Sequence, residues 1–155
     1  MIYVFDGKGK GKTTAALGMA MRSLGWGKKV VVVQFMKHRE MGECKFKHKG
    51  FVLKHFGKKQ FVKKITDRDR ALGAKGIEYA KKVKCDLLIL DEINTAIRYG
   101  IIKVADVYPI LERKLDVVLT GKGYSFRIRR KADVVVEVDM VKKPWKYQAK
   151  KGLEF

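Results

Sequence analysis

Residues 4–17 read VFDGKGKGKTTAAL: the end of an apolar run, glycines at three alternate positions, then a lysine and two threonines. Gly7, Gly9 and Gly11 allow a turn whose backbone N–H groups point inward, and Lys12 adds a mobile ammonium. A helix that opens on Lys12, Thr13 and Thr14 contributes the positive potential of its N-terminus. Lys8 and Lys10, set between the glycines, extend the same anion-binding stretch. This pattern predicts a triphosphate-binding loop in which the Thr13 hydroxyl faces Mg²⁺ and Thr14 stands beside it as a second donor. The usual spacing is G-x-x-x-x-G-K-[ST]. Counting back from Gly11 puts Asp6 where the first glycine belongs, so the stretch is a degraded loop, a chance run of Gly and Lys, or a variant that binds triphosphate for different chemistry.

A phosphate loop needs a strand before it and a helix after it, and the chain continues in that style. Strand-like runs fall at 1–5, 29–35, 51–56, 86–91, 116–120 and 133–138, separated by helix-like segments. Most are nearly continuous Val, Ile and Leu, as in strands covered on both faces, whereas 51–56 alternates and is expected at an edge. The predicted fold is α/β and P-loop NTPase-like, with a mostly parallel central sheet of about six strands and helices on both faces. The first helix is expected from Lys12 to about Gly25, with Leu17, Ala20, Met21 and Leu24 on its inner stripe. A second is expected over 67–84, opened by a Thr66/Asp69 capping box and buried through Ala74, Ile77, Ala80 and Val83. A third carries Val104, Val107, Tyr108 and Leu111 on one face. The last fifteen residues lack periodicity and are expected to pack as an ordered extension.

The run CDLLILDEIN at 85–94 places Asp91 and Glu92 at the carboxyl end of a hydrophobic strand. An acid there reaches a metal held beside the first strand's loop. Mg²⁺ suits such a site, because it keeps waters and takes one or two carboxylates together with phosphate oxygens. A further glycine turn, LTGKG at 119–123, either forms another wall of the site or simply joins a strand to a helix.

Composition limits the remaining choices. A chain of 155 residues that is 46% hydrophobic is expected to form one domain spanning 1–155. Its apolar runs fall far short of the roughly 20 residues that span a membrane. With a strand-like opening, MIYVF, a cytoplasmic protein without a signal peptide is expected. Cys44 and Cys85 have no second ligand at zinc spacing and are expected as reduced thiols. The net charge is +20, and between Lys37 and Lys64 ten basic side chains face two glutamates. That field attracts polyanions, or is a solvated lysine-rich face of the kind found in heat-adapted proteins.

Taken in order, DGKGKGKTTAALGMAMRSLGWGKKVVVVQFMK, GE at 42–43, DLLILDEINTAIRYG, VVLTGKG, ADVVVEV and VKKPWKYQAKKGLEF resemble the P-loop type of ATP:corrinoid adenosyltransferase over nearly the whole chain. That family's loop is commonly T-G-x-G-K-G-K-T-T, which also lacks the first glycine. The resemblance implies that ATP is gripped by its γ-phosphate with the ribose 5′-carbon toward a corrinoid. Co(I) attacks that carbon and triphosphate leaves whole. It implies Gly7, Lys8, Gly9, Lys10, Gly11, Lys12, Thr13 and Thr14 for the triphosphate, and Thr13, Asp91 and Glu92 for Mg²⁺. Lys12, Thr13 and Glu92 become the catalytic candidates. Arg98 and Tyr99 would line the nucleotide or corrin side, and Thr120, Gly121 and Gly123 match the family's T-G-[RK]-G turn.

The same resemblance implies features that differ here. Family members usually carry an N-terminal helix that helps cover the site, often across a homodimer, whereas five residues precede Asp6. Aromatic residues that displace the lower cobalt ligand correspond to FGKKQFVKKITD, with Phe61 present and Lys63 where a tryptophan is expected. The tail between Pro144 and Gly152 is about two residues short of the common pattern. The basic face would suit an acidic, flavodoxin-like electron donor. A second reading of the residues is a basic P-loop ATPase or nucleotide switch acting on nucleic acid, which requires steeply salt-dependent binding.

Overall fold

The computed structural model describes residues 1–37, 41–58 and 64–154. Phe61 and Lys63 lie outside the described residues. Six strands form one sheet: β1 (Ile2–Asp6), β2 (Val30–Phe35), β3 (Phe51–Phe56), β4 (Leu87–Asp91), β5 (Asp116–Thr120) and β6 (Val134–Glu137). Their order is β3-β2-β4-β5-β1-β6, and every pairing is parallel. β2 and β4 are buried at every residue, as their unbroken apolar sequence requires, while β3 alternates and closes one edge.

Because successive side chains point to opposite faces of a strand, each strand feeds two cores. Val31, Val33, Phe35, Leu88, Leu90, Val117 and Leu119 point to one face, where they meet α2 (Asp67–Lys82), α3 (Ile93–Arg98) and α4 (Val104–Leu111). Val30, Val32, Leu87, Ile89 and Val118 point to the other, where Ala16, Ala20 and Leu24 of α1 (Lys12–Gly25) cover them. Helices thus occupy both faces, unequally. The one-turn α5 (Phe126–Arg129) adds Ile128 to the larger core.

The helix stripes differ from expectation in two places. Met21 is exposed, and α1 buries Ala16, Ala20 and Leu24 instead. Met21 sits on the rim of an apolar cleft of about 300 Å³ that Leu17, Phe46 and Phe51 also line. On α2 it is Ala74 that is exposed, and Gly73, Gly76, Ile77 and Ala80 face inward. A Cβ on Gly76 would come within 2.6 Å of the Phe35 ring, and one on Gly73 within 2.9 Å of Ile101. The inner stripe therefore follows the glycines, which bring the helix close to the sheet.

At the start of α2, Asp69 Oδ2 accepts from the Thr66 N–H at 2.8 Å, from the Thr66 hydroxyl at 2.7 Å and from Lys58 Nζ at 2.7 Å. Burial works against the Asp69 charge, but Lys58 and Thr66 outweigh it and hold the carboxyl below its usual value. Asp69→Ala should cost about 1–2 kcal/mol and lower the melting temperature by roughly 2–8 °C. A depressed carboxylate stabilises the fold above its unfolded pKa of about 3.9 and loses that contribution as pH falls through the lower folded value. Urea melts at pH 7 should therefore separate the two proteins, and the separation should shrink progressively as the pH is taken below about 3.9.

Candidate active site

All six strands run the same way, so their carboxyl ends, and the segments that follow them, gather along one edge. The loop after β1 turns at Gly7, whose φ is +112°, and rests on the end of β6 through Gly9 N–H donating to Val138 O at 2.8 Å. A Cβ at Gly7 would fall 2.2 Å from Val138 O, so a side chain has no room there. The loop then enters α1 at Lys12, with no acidic residue in the first helical turn. The first N–H groups of that turn lack intrahelical partners, leaving an uncompensated positive end. Lys12 Nζ spans the loop, donating to Gly7 O at 2.9 Å and Gly9 O at 2.5 Å.

Asp6 has a defined task. Its carboxylate accepts from Gly7 N–H at 2.6 Å, Gly123 N–H at 2.7 Å and Tyr124 N–H at 2.8 Å. It is buried and ties the end of β1 to the turn after β5. A carboxylate that accepts several backbone donors is a strong local anchor. Asp6 thus fastens two glycine turns together.

Asp91, fully buried at the end of β4, is the hub of the edge. Its Oδ1 accepts from the Thr13 hydroxyl at 2.8 Å and the Thr120 hydroxyl at 2.6 Å. Its Oδ2 accepts from Gln34 Nε2 at 3.0 Å and from Lys37 Nζ at 2.7 Å. Gln34 Nε2 also donates to Glu43 Oε1 at 3.1 Å. Burial disfavours both charges of the Asp91–Lys37 pair. The opposite charge and hydrogen bonds overcome that cost, holding the Asp91 carboxyl below its usual value and the Lys37 ammonium above its usual value. Glu92, in the left-handed conformation at φ +61°, begins α3. Its N–H donates to Thr120 Oγ1 at 3.0 Å, and its carboxylate accepts from the Thr95 hydroxyl at 2.6 Å.

A cavity of about 460 Å³ opens over the loop, lined by Gly9, Lys10, Gly11, Lys12, Thr13, Thr14 and Glu92. A second, of about 300 Å³, shares Thr13 and Thr14 and continues past Lys37 and Glu43. Of the residues expected at the site, Thr13, Asp91 and Glu92 come together, as do Lys12 and Thr14. Lys8 is exposed outside the cavities, and Gly7 is set against β6. Thr120 is buried behind Asp91, and Gly121 packs on Thr95. A Cβ on Gly123 would meet Arg98 Cδ at 2.8 Å, which puts the Arg98 side chain over that turn rather than in either cavity. Tyr99 is exposed.

The tail crosses the mouth of the larger cavity through Tyr147, Leu153 and Glu154. Lys10, pointing out of the loop, pairs with Glu154 and lies 4.3 Å from the centre of the Tyr147 ring. Val141 and Trp145 are almost fully exposed, so the tail is pinned at its end rather than packed along its length. Sequence reasoning missed Lys37, Gln34 and the contact to Glu154. The one signal for the first two was Gln34 itself, a polar residue inside VVVVQF. A buried strand carries a polar side chain where something across the sheet needs a partner.

The full chain, residues 1–155, matches the family model described as ATP:corrinoid adenosyltransferase BtuR/CobO/CobP. The chain belongs to that family. A corrinoid adenosyltransferase of Sinorhizobium sp. is 35% identical over 175 aligned residues, covering 100% of this chain and 80% of the relative. One from Pseudomonas aeruginosa is 36% identical over 171, covering 100% and 83%. Corrinoid adenosyltransferase CobA of Salmonella typhimurium is 33% identical over 152, covering 92% and 78%. Membership makes this chain an ATP:corrinoid adenosyltransferase.

Proposed function

We propose that the cleft binds ATP with its triphosphate on the loop and delivers the 5′-carbon to a Co(I) corrinoid. The cobalt electron pair forms the Co–C5′ bond, the C5′–O5′ bond breaks, and its electrons leave with the triphosphate. The observation that carries this reading is the shared cavity of Lys12, Thr13, Thr14 and Glu92 above a buried Asp91. Because the substrate supplies its own nucleophile, the protein needs no general base. What it must do is align two reactants and stabilise a departing polyanion.

The Lys12 ammonium and the N–H groups opening α1 receive the charge that builds on the triphosphate. Thr13 and Glu92, with Asp91 behind them, would hold Mg²⁺. The donor set suits that ion: one hydroxyl and two carboxylates leave room for phosphate oxygens and water. When bound, Mg²⁺ adds charge neutralisation at the leaving group. Thr120, Gly121, Gly123 and Arg98 form the supporting wall, fastened through Asp6.

Among the described residues no helix is long and apolar enough to cross a membrane. The +20 charge suits an acidic, flavodoxin-like donor that keeps cobalt reduced, and a homodimer would supply further cover for the cleft. Mixing the protein and MgATP with chemically reduced corrinoid should convert the Co(I) absorption spectrum to that of the adenosylated, light-sensitive product. A spectrum that stays unchanged would count against the proposal.

A further inference from the structure

The Asp91–Lys37 pair does more than neutralise a buried acid. A carboxylate offers about four acceptor positions, and all four on Asp91 are taken, by Thr13, Thr120, Gln34 and Lys37. A cation that reaches this carboxylate must take the place of one of them. Of the four, Lys37 is itself a cation. Its Nζ also lies 3.2 Å from Thr13 Oγ1, the hydroxyl assigned above to Mg²⁺.

The backbone that delivers Lys37 is built for the purpose. Among the described residues, two non-glycines adopt a left-handed conformation, Met36 at φ +59° and Glu92 at φ +61°. They directly follow the neighbouring strands β2 and β4, and the Lys37 and Glu92 side chains line the two adjoining cavities that share Thr13 and Thr14. Non-glycine residues hold that conformation where the surroundings impose it, commonly at functional sites. Gly57 supplies the backing: a Cβ there would lie 2.4 Å from Lys37 N and 2.5 Å from Met36 C. The side chain is 17% exposed and lines the second cavity beside Thr13 and Thr14.

We propose that Lys37 and the divalent cation are alternative occupants of one position beside Thr13 and Asp91. The enzyme then carries a resident cation that keeps the triphosphate end of the cleft positive when the divalent ion is scarce. The inference rests on the reading of the cleft as a MgATP site. Lys37 acts here as a positioning residue, through the electrostatics of Thr13 and Asp91.

The test is calorimetric titration of ATP, without corrinoid, into the full chain in excess Mg²⁺ and again in EDTA. The ratio of the two Kd values reports how far the protein depends on the divalent ion. Lys37→Gln, which keeps a donor for Asp91 but removes the charge, should raise that ratio at least tenfold. Chelated binding loses its substitute cation, while Mg²⁺ no longer displaces an ammonium. Lys37→Arg should stay within about threefold of the wild-type ratio, because the charge remains. Lys37→Met should behave as the Gln variant; should it fail to fold, the Gln variant decides. A merely structural lysine would weaken both Kd values together. An unchanged ratio in Lys37→Gln overturns the inference while leaving the MgATP site standing. No ATP binding by the wild type in either buffer overturns both.

Discussion

Replacing Lys12 with alanine should lower kcat/KM for corrinoid adenosylation by about 10²–10³-fold, the usual cost of removing one preorganised donor from a developing anion. Lys12 spans the loop from Gly7 O to Gly9 O and lines the larger cavity; under the proposed function its ammonium would meet the triphosphate where negative charge builds. It is only half-buried and contributes nothing to either hydrophobic core. The thermal melt should therefore shift by no more than about 2 °C, within the range of surface changes. Initial rates with reduced corrinoid, alongside a circular-dichroism melt, separate the two effects. A loss of less than about fivefold, or a collapse of the fold, would contradict the role assigned to Lys12.

Asp91→Ala should do the opposite, damaging stability as severely as activity. The carboxylate is 0% exposed, and removing it strands the Lys37 ammonium and the Thr13 and Thr120 hydroxyls and leaves Gln34 Nε2 with Glu43 alone. Breaking a buried ion pair from one side costs about 3–5 kcal/mol, a fall of roughly 6–20 °C in melting temperature for a domain of this size. Adding Lys37→Met to the variant should recover part of that loss, since no ammonium is then stranded. The pH dependence has a definite sign. Asp91, depressed in the fold, contributes above its unfolded value of about 3.9 and ceases to as pH falls through its lower folded value; Lys37, raised in the fold, contributes below about 10.4 and ceases to as pH rises through its higher folded value. The stability gap between wild type and Asp91→Ala should be widest between those limits and narrow toward both extremes. A gap that is flat from pH 2 to 8 would contradict the coupling.

The parts of this arrangement that a linear reading recovers are those whose physics is local. Continuous Val in 30–33 and Leu and Ile in 87–90 mark strands buried on both faces, and the alternation of β3 marks an edge. The glycine spacing before Lys12 marks a loop that must expose its N–H groups. What a linear reading misses is made by pairings distant in the chain. Asp6 looks like a defect in the loop until the turn at Gly123 and Tyr124 comes across the sheet to meet it. Lys37 is one lysine among many until the β2–β4 register sets Gln34 opposite Asp91. The short α3 escapes because its first turn follows a left-handed Glu92, which no residue-type preference announces. Helical spacing with Ile77 and Ala80 puts Ala74 on the inner stripe of α2, yet Gly73 and Gly76 allow a closer approach and take that place.

The phosphate product tests the central claim most directly. Phosphate groups recovered from a reaction of MgATP, Co(I) corrinoid and this protein should be inorganic triphosphate, one for each corrinoid adenosylated, by anion-exchange chromatography or ³¹P spectroscopy. ADP with phosphate, or pyrophosphate with phosphate, as the sole products would mean that the loop cleaves within the triphosphate, and would contradict transfer at the 5′-carbon.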